Sequence, residues 1–345
     1  MTQPARGRGA RSNPVGRFEP LHIEYEENLP GNPGTVYLVD SSRSALTRNE
    51  SPDIPFHFSV NPYRGCEHGC VYCYARPTHE YLGFSCGLDF ETRILVKEAL
   101  PRLLLRELSS PRWTPQPVAL SGVTDPYQPV ERKLRLTRKV LEVLGEFRNP
   151  VVITTKNFLV TRDIDLLQEL ASVGAAHVRL SVTTLDHELQ RRLEPRAATP
   201  QRRLEALARL ASAGIPVGVS VAPVIPGLTD HEIPAVLQAA REHGAVAAGF
   251  QLLRLPAAVS ILFTDWLKEY YPDRASRVLH RIRETHGGRL DDPRFHARMR
   301  GEGTYARQVA ELFDMARRRS RLSADLPPLS TAAFRRPERQ PRLPF

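Results

Sequence analysis

Six short β-branched or apolar runs alternate with amphipathic stretches through the middle of this chain, and that alternation limits its fold more than any other feature. The runs are Phe58–Asn61, Pro117–Ser121, Val151–Thr155, His177–Val182, Val217–Val221 and Gly249–Leu253. Helical periodicity falls between them at Leu100–Leu108, Arg132–Phe147, Ile164–Val173, Pro200–Ala213 and Ile233–His243. Strands that alternate with helices predict an α/β fold with a parallel sheet, because a crossover helix is the usual link between parallel neighbours. A doubly wound sheet and a curved partial barrel share this pattern, and in both the functional side chains gather at the C-terminal ends of the strands.

The flanks are less regular. Residues 1–50 read as a basic segment in which Leu21–Tyr25 and Thr35–Val39, on either side of a Pro/Gly turn, form a hairpin. Residues 51–256 hold the alternating core. A helical extension is expected over 257–322, with Ser260–His286 and Thr304–Arg319 as its helices, followed by a Pro/Arg-rich tail at 323–345.

At 345 residues, 41% hydrophobic and 25% charged, the chain has the make-up of a globular protein and not of a disordered one. No run approaches the ~20 apolar residues of a membrane helix, and Met1–Gly16 has no apolar stretch, so a cytoplasmic protein without a membrane partner is expected. The formal charge of +10 sits at the two ends. Residues 1–17 carry four arginines and no acid, and residues 317–345 carry eight arginines against Asp325 and Glu338. Solvated ends are the expectation, with loose attraction to a polyanion as the alternative.

Four clustered cysteines point to metal or redox chemistry rather than a disulfide framework. In Asn61–Ala75, "NPYRGCEHGCVYCYA", three residues separate Cys66 from Cys70 and two separate Cys70 from Cys73. A short loop of this spacing can aim three thiolates at one 4Fe-4S cube, with Gly65 and Gly69 supplying the positive φ angles that wrapping needs. The fourth iron is then open to a chelating amino acid such as the methionine part of S-adenosyl-L-methionine (SAM). A zinc site completed by His68 or His79 is the competing reading. Cys86 fits a fourth ligand, a radical-quenching thiol or a small buried hydrophobe.

The cysteine loop, with Tyr72 before its last cysteine, resembles the signature of the radical SAM superfamily. Taken with "VTDPYQPVE", "ITTK", "RLSVTTLD", "LEPRAATPQRRLEAL" and "VAPVIPGLTD" in that order, it resembles the spore photoproduct lyase-like (DNA repair photolyase-like) branch over roughly Pro52 to Pro256. The resemblance implies a partial (βα)6 TIM-like barrel with a helical C-terminal extension. It also implies a 4Fe-4S cluster on Cys66, Cys70 and Cys73 and reductive cleavage of SAM to a 5′-deoxyadenosyl radical, which abstracts hydrogen from a substrate the motifs do not specify. Nucleic acid, a peptide and a metabolite are the candidates. A reductant such as flavodoxin or ferredoxin is the implied electron donor. The alternative from another class is a non-catalytic iron–sulfur or zinc protein that binds nucleic acid through its arginine-rich ends.

By the same resemblance Tyr72 lies against the adenine, Thr124 and Asp125 meet the SAM amine and ribose, and Lys156 meets the SAM carboxylate. Ser181, Thr183, Glu194 and Arg196 help to hold SAM, the Val221–Asp230 loop flanks the adenine, and Tyr74 and Tyr127 are available for hydrogen relay. The sequence departs from the branch at one point. Where spore photoproduct lyases carry a hydrogen-donating cysteine before the acid of the "TD" block, this chain has Gly122, Val123 and Thr124.

Overall fold

The computed structural model describes residues 8–18 and 34–337. In it the six runs form β1 (Phe58–Val60), β2 (Val118–Leu120), β3 (Val151–Thr155), β4 (Ala176–Ser181), β5 (Val217–Val224) and β6 (Ala247–Leu252). All six are parallel and lie side by side in chain order, with Leu46–Arg48 added antiparallel to β1 at the edge. A doubly wound sheet would reverse its order at a switch point. This one never does, so successive right-handed crossovers put their helices on one face and the twisted sheet curls into a partial (βα)6 barrel.

The outer layer is α1 (Leu100–Ser109), α2 (Leu136–Phe147), α3 (Ile164–Ser172), α4 (Pro200–Ser212) and α5 (Ile233–Glu242). Helix α4 begins on local chemistry legible in the chain. Thr199 caps α4 by accepting from Arg202 N–H, with Pro200 at the first helical position. The periodic run Arg132–Phe147 is split, because Arg135 takes a left-handed φ of 52° and separates Glu131–Leu134 from α2. The helices press one apolar stripe onto the outward strand residues Val118, Leu120, Ile153, Val178, Leu180 and Val219, all fully buried. Each such side chain contributes about 1.5–3 kcal/mol.

The C-terminal helices divide between two places. Helix α8 (Gly303–Arg319) packs beside α5 with Val309, Phe313 and Ala316 in the main core, and the Phe313 ring lies 4.6 Å from that of Phe250 on β6. It thus completes the sixth strand–helix unit. Helices α6 (Val259–Tyr270) and α7 (Pro272–Thr285) are inserted before it and share a second apolar cluster with Val71, Leu193, Ile225 and Leu253, around Trp266.

One expectation for the flanks changes and another falls outside the described residues. Leu21–Tyr25 lies outside the described residues, and its proposed partner forms the strand Val36–Val39, which pairs in parallel with Arg93–Val96. Arg93–Val96 also pairs antiparallel with Tyr63–Arg64, so this small sheet is the base from which the cysteine loop leaves. The described parts of the basic ends are docked rather than solvated. Residues 8–18 form a strap against the cysteine loop. Beyond α8 the chain runs as a belt along the N-terminal ends of the strands: Ser323 bridges to Ala247, Ser330 N–H bonds Gly174 O, Arg335 N–H bonds Phe147 O, and Arg336 reaches the carbonyls of Ser110 and Trp113. Specific partners offset the charge of these segments: Arg11 pairs with Glu269 and Arg17 with Glu80, while Arg335 and Arg336 donate to backbone carbonyls.

Candidate active site

The cysteine loop follows Tyr63–Arg64 and is held from several sides. Cys66 N–H bonds Phe90 O, and Val71 N–H bonds Leu193 O. Gly65 and Gly69 have φ of 79° and 68°, as their spacing among the cysteines anticipated. Arg76 is the hub: fully buried, it donates to Cys70 O, Cys86 O and Gly87 O and pairs with the equally buried Glu91. Breaking such a pair costs on the order of 3–5 kcal/mol. From β2, Thr124 Oγ1 donates to Gly65 O at 2.6 Å, and Gln128 binds Gly65 O, Thr124 Oγ1 and Glu67 N–H.

The loop faces a cavity of about 950 Å³, open mouth included, at the C-terminal ends of the strands. Cys66, Cys70, Cys73, Tyr72, Tyr74, Thr124, Asp125, Lys156 and Ser181 all line it. With Ala222 of β5 and Gln251 of β6 also lining it, residues from five strands and one loop converge at the end of the barrel where catalysis is expected.

Lys156 Nζ donates to Ala222 O at 3.2 Å and stands 5.9 Å from the centre of the Tyr72 ring. Asp125 spends both oxygens inside the protein. Oδ1 accepts from Thr155 Oγ1 and Tyr127 N–H, and Oδ2 accepts from Lys156 N–H with His68 Nδ1 at 3.4 Å. Burial alone would raise the Asp125 carboxyl, but His68 and these donors outweigh it and hold it down to about 2. Burial pushes His68 down, and Asp125 with Cys66 reverses this and raises it to about 10.

Four sequence candidates, Thr183, Glu194, Arg196 and Tyr127, do not reach the cavity. Glu194 is fully buried behind Tyr72, where it accepts from the Tyr72 hydroxyl and from Thr183 Oγ1 and pairs with Arg203. Arg196 pairs with Glu67 at 3.2 Å and ties the far side of the loop. Tyr127 is fully buried in the main core. Of the Val221–Asp230 segment, Ala222 and Pro223 line the cavity, whereas Gly227 turns toward Val278 and Arg281 of α7. Cys86 is fully buried and is absent from the cavity lining.

The donor set fits a cluster. All four cysteines are unbridged, and three of them face one space. Among the described residues no three His, Cys, Asp or Glu side chains gather tightly enough to grip a single ion. A cubane with one open iron asks for three thiolates, and the cysteines that line the cavity supply that number. The histidines of the zinc alternative are engaged elsewhere: His68 with Asp125 and Asn157, and His79 with Arg93 O between the rings of Phe84 and Phe90.

Sequence reasoning missed the scaffold of this site. Arg76 and Glu91, Gln128, and Arg203 with Glu194 pair across distances that no periodicity marks. Gln251 and Arg254 also line the cavity, and their position at the end of the last strand was the available signal.

Comparison with known proteins agrees with this geometry. The family model described as "Radical SAM superfamily" matches residues 60–240. An uncharacterised protein of Mycobacterium tuberculosis (strain ATCC 25618 / H37Rv) is 38% identical over 240 residues, 68% of this chain and 70% of its own. A radical SAM Nα-GlyT isomerase of Pseudomonas phage M6 is 27% identical over 50% of this chain and 34% of its own. Among solved structures, one variant of spore photoproduct lyase superposes with a TM-score of 0.55 at 15% identity, over 84% of this chain and 81% of that one. A second variant gives 0.50 at 18% identity over 68% of this chain and 66% of that one, just under two thirds of its length. At such identity the likeness is one of fold. Among the described residues no helix is long and apolar enough to cross a membrane.

Proposed function

Because the chain belongs to the radical SAM superfamily, we propose that Cys66, Cys70 and Cys73 hold a 4Fe-4S cluster beside a SAM site in this cavity, and that the enzyme abstracts hydrogen from a substrate bound above them. The observation that carries the proposal is the convergence of three unbridged thiols, an ammonium and a buried aromatic at the C-terminal ends of parallel strands. When bound, a reduced cluster would supply the one electron that breaks the C5′–S bond of SAM, with methionine leaving and a 5′-deoxyadenosyl radical released.

The chain's own residues bind, orient and exclude. Lys156 presents an ammonium that, among the described residues, donates to a single carbonyl, which leaves two donors for the SAM carboxylate. Tyr72 offers its ring as an adenine platform, with its hydroxyl fixed by Glu194 and Thr183. Ser181 offers a hydroxyl. Thr124 and Asp125 act by positioning: Thr124 holds the loop entrance, and Asp125 joins the β2 loop to the end of β3. Glu194 and Arg196 belong to the same supporting layer. We assign hydrogen relay to Tyr74, which lines the cavity and whose hydroxyl donates to Gly122 O at 3.0 Å. A low-potential reductant such as flavodoxin or ferredoxin is the partner this chemistry requires, and nucleic acid is one substrate class to test.

The test is anaerobic reconstitution followed by iron and sulfide analysis, with 5′-deoxyadenosine measured after dithionite and SAM. About four irons per chain and nucleoside formation are expected. Cys70→Ala should lose the cluster, while Lys156→Ala should keep the cluster and weaken SAM binding by roughly tenfold. A cluster that survives Cys70→Ala defeats the assignment.

A further inference from the structure

Arg254 lies two residues beyond β6 and lines the cavity together with Gln251, Leu252 and Leu253. Its Nε is buried with no hydrogen-bond partner, and among the described residues no carboxylate comes within ion-pair distance of it. Asp291 and Asp53 act on it only from farther away, and Arg298 repels it. Asp53 is already engaged by Arg298 and by His296 N–H. A half-buried guanidinium whose Nε has no partner and whose nearest carboxylates stand beyond ion-pair distance is costly to keep, and burial followed by Arg298 makes its charged form less favourable.

The surroundings suit a ligand. Tyr74 shares the cavity with Arg254 and is 51% exposed. Farther out, exposed Phe295 lies against the Arg298 guanidinium at 4.5 Å. The planar fork of an arginine matches two oxygens of a carboxylate or a phosphate, and its bonds to either are charge-assisted.

We propose that Arg254 is a substrate-anchoring residue that grips an oxyanion, a phosphate or a carboxylate, carried by the substrate into the cavity. This rests on the radical SAM reading, which makes the cavity the place of reaction. Lys156, just beyond β3, serves the cofactor, and Arg254, beyond β6, serves the substrate.

The experiment uses the cluster-loaded full chain, anaerobic and saturated with SAM. Arginines are modified with phenylglyoxal in the presence of inorganic phosphate or of acetate, and Arg254 is followed by peptide mass mapping with exposed Arg112 as the reference. One anion should protect Arg254 several-fold more than Arg112, and which anion does so tells phosphate from carboxylate. By equilibrium dialysis of that anion, Arg254→Gln should lower affinity roughly tenfold and Arg254→Lys should recover much of it. Equal modification of Arg254 with and without both anions overturns the proposal and leaves Arg254 to Asp291. SAM affinity is measured in the same samples. Normal SAM binding without anion protection defeats only this inference, loss of SAM in Arg254→Gln moves the residue to the cofactor and also defeats it, and failure of the wild type to hold a cluster defeats the underlying reading.

Discussion

Two buried ion pairs decide how the site's residues stand. Arg76–Glu91 braces the cysteine loop from behind, and Arg203–Glu194 sets the hydroxyl of Tyr72. Burial pushes the Glu194 carboxyl up, but Arg203 and Lys156 and the hydrogen bonds from Arg203 and Tyr72 bring it down to about 2 from an ordinary 4.5. A carboxyl depressed by folding contributes stability above its unfolded value and loses it as pH falls from there through the folded value. Urea midpoints of the wild type should therefore fall between pH 4.5 and 2 by more than those of Glu194→Gln. At pH 7 the variant should be the less stable by on the order of 3–5 kcal/mol, because Arg203 stays buried without its partner. Parallel pH curves for the two proteins would show that Glu194 is not held ionised. None of these partners was legible in the sequence, since a buried pair is chosen by approach in space and leaves no spacing rule along the chain.

Among the elements, the strap formed by residues 8–18 changes most between sequence and structure. Composition marks it as a loose basic end. In the fold the N–H groups of Gly9 and Ala10 donate to Glu91, Asn13 exchanges hydrogen bonds with Asp89, and Arg11 reaches Tyr270 of α6. A Cβ on Gly9 would lie 1.6 Å from Gly69 O, a backbone atom inside the cysteine loop. Gly9→Val should therefore undock the strap, at a cost of roughly 1–3 kcal/mol, and expose Arg11 and Arg17 to trypsin. Unchanged cleavage kinetics would mean that the strap is not seated by this contact. The helical insertion α6–α7 follows the same logic: its periodicity predicted helices, and only packing on Val71, Leu193 and Leu253 gave them a place beside the loop.

Across the whole molecule, the strap and the belt work at opposite ends of one partial barrel. The belt crosses the strands' N-terminal ends from β6 toward β2, burying Leu322 and Leu326, with Leu326 against Gly218 and Phe334 against Phe147. Truncation after Arg321 should lower the thermal midpoint by several degrees, for a loss on the order of 2–4 kcal/mol. A truncated chain that melts with the wild type would reduce the belt to a passenger. The sequence by itself determined the six strands, the helices between them and the three thiols with their glycines, because periodicity, turn residues and ligand spacing are local properties of the chain. Only the tertiary structure decided that the sheet curls instead of winding both ways, that Glu194, Arg196 and Tyr127 stand behind or away from the cavity, and that Arg254 faces into it. Those outcomes depend on strand order and on which distant groups share a buried space, and a single chain read in order carries no record of either.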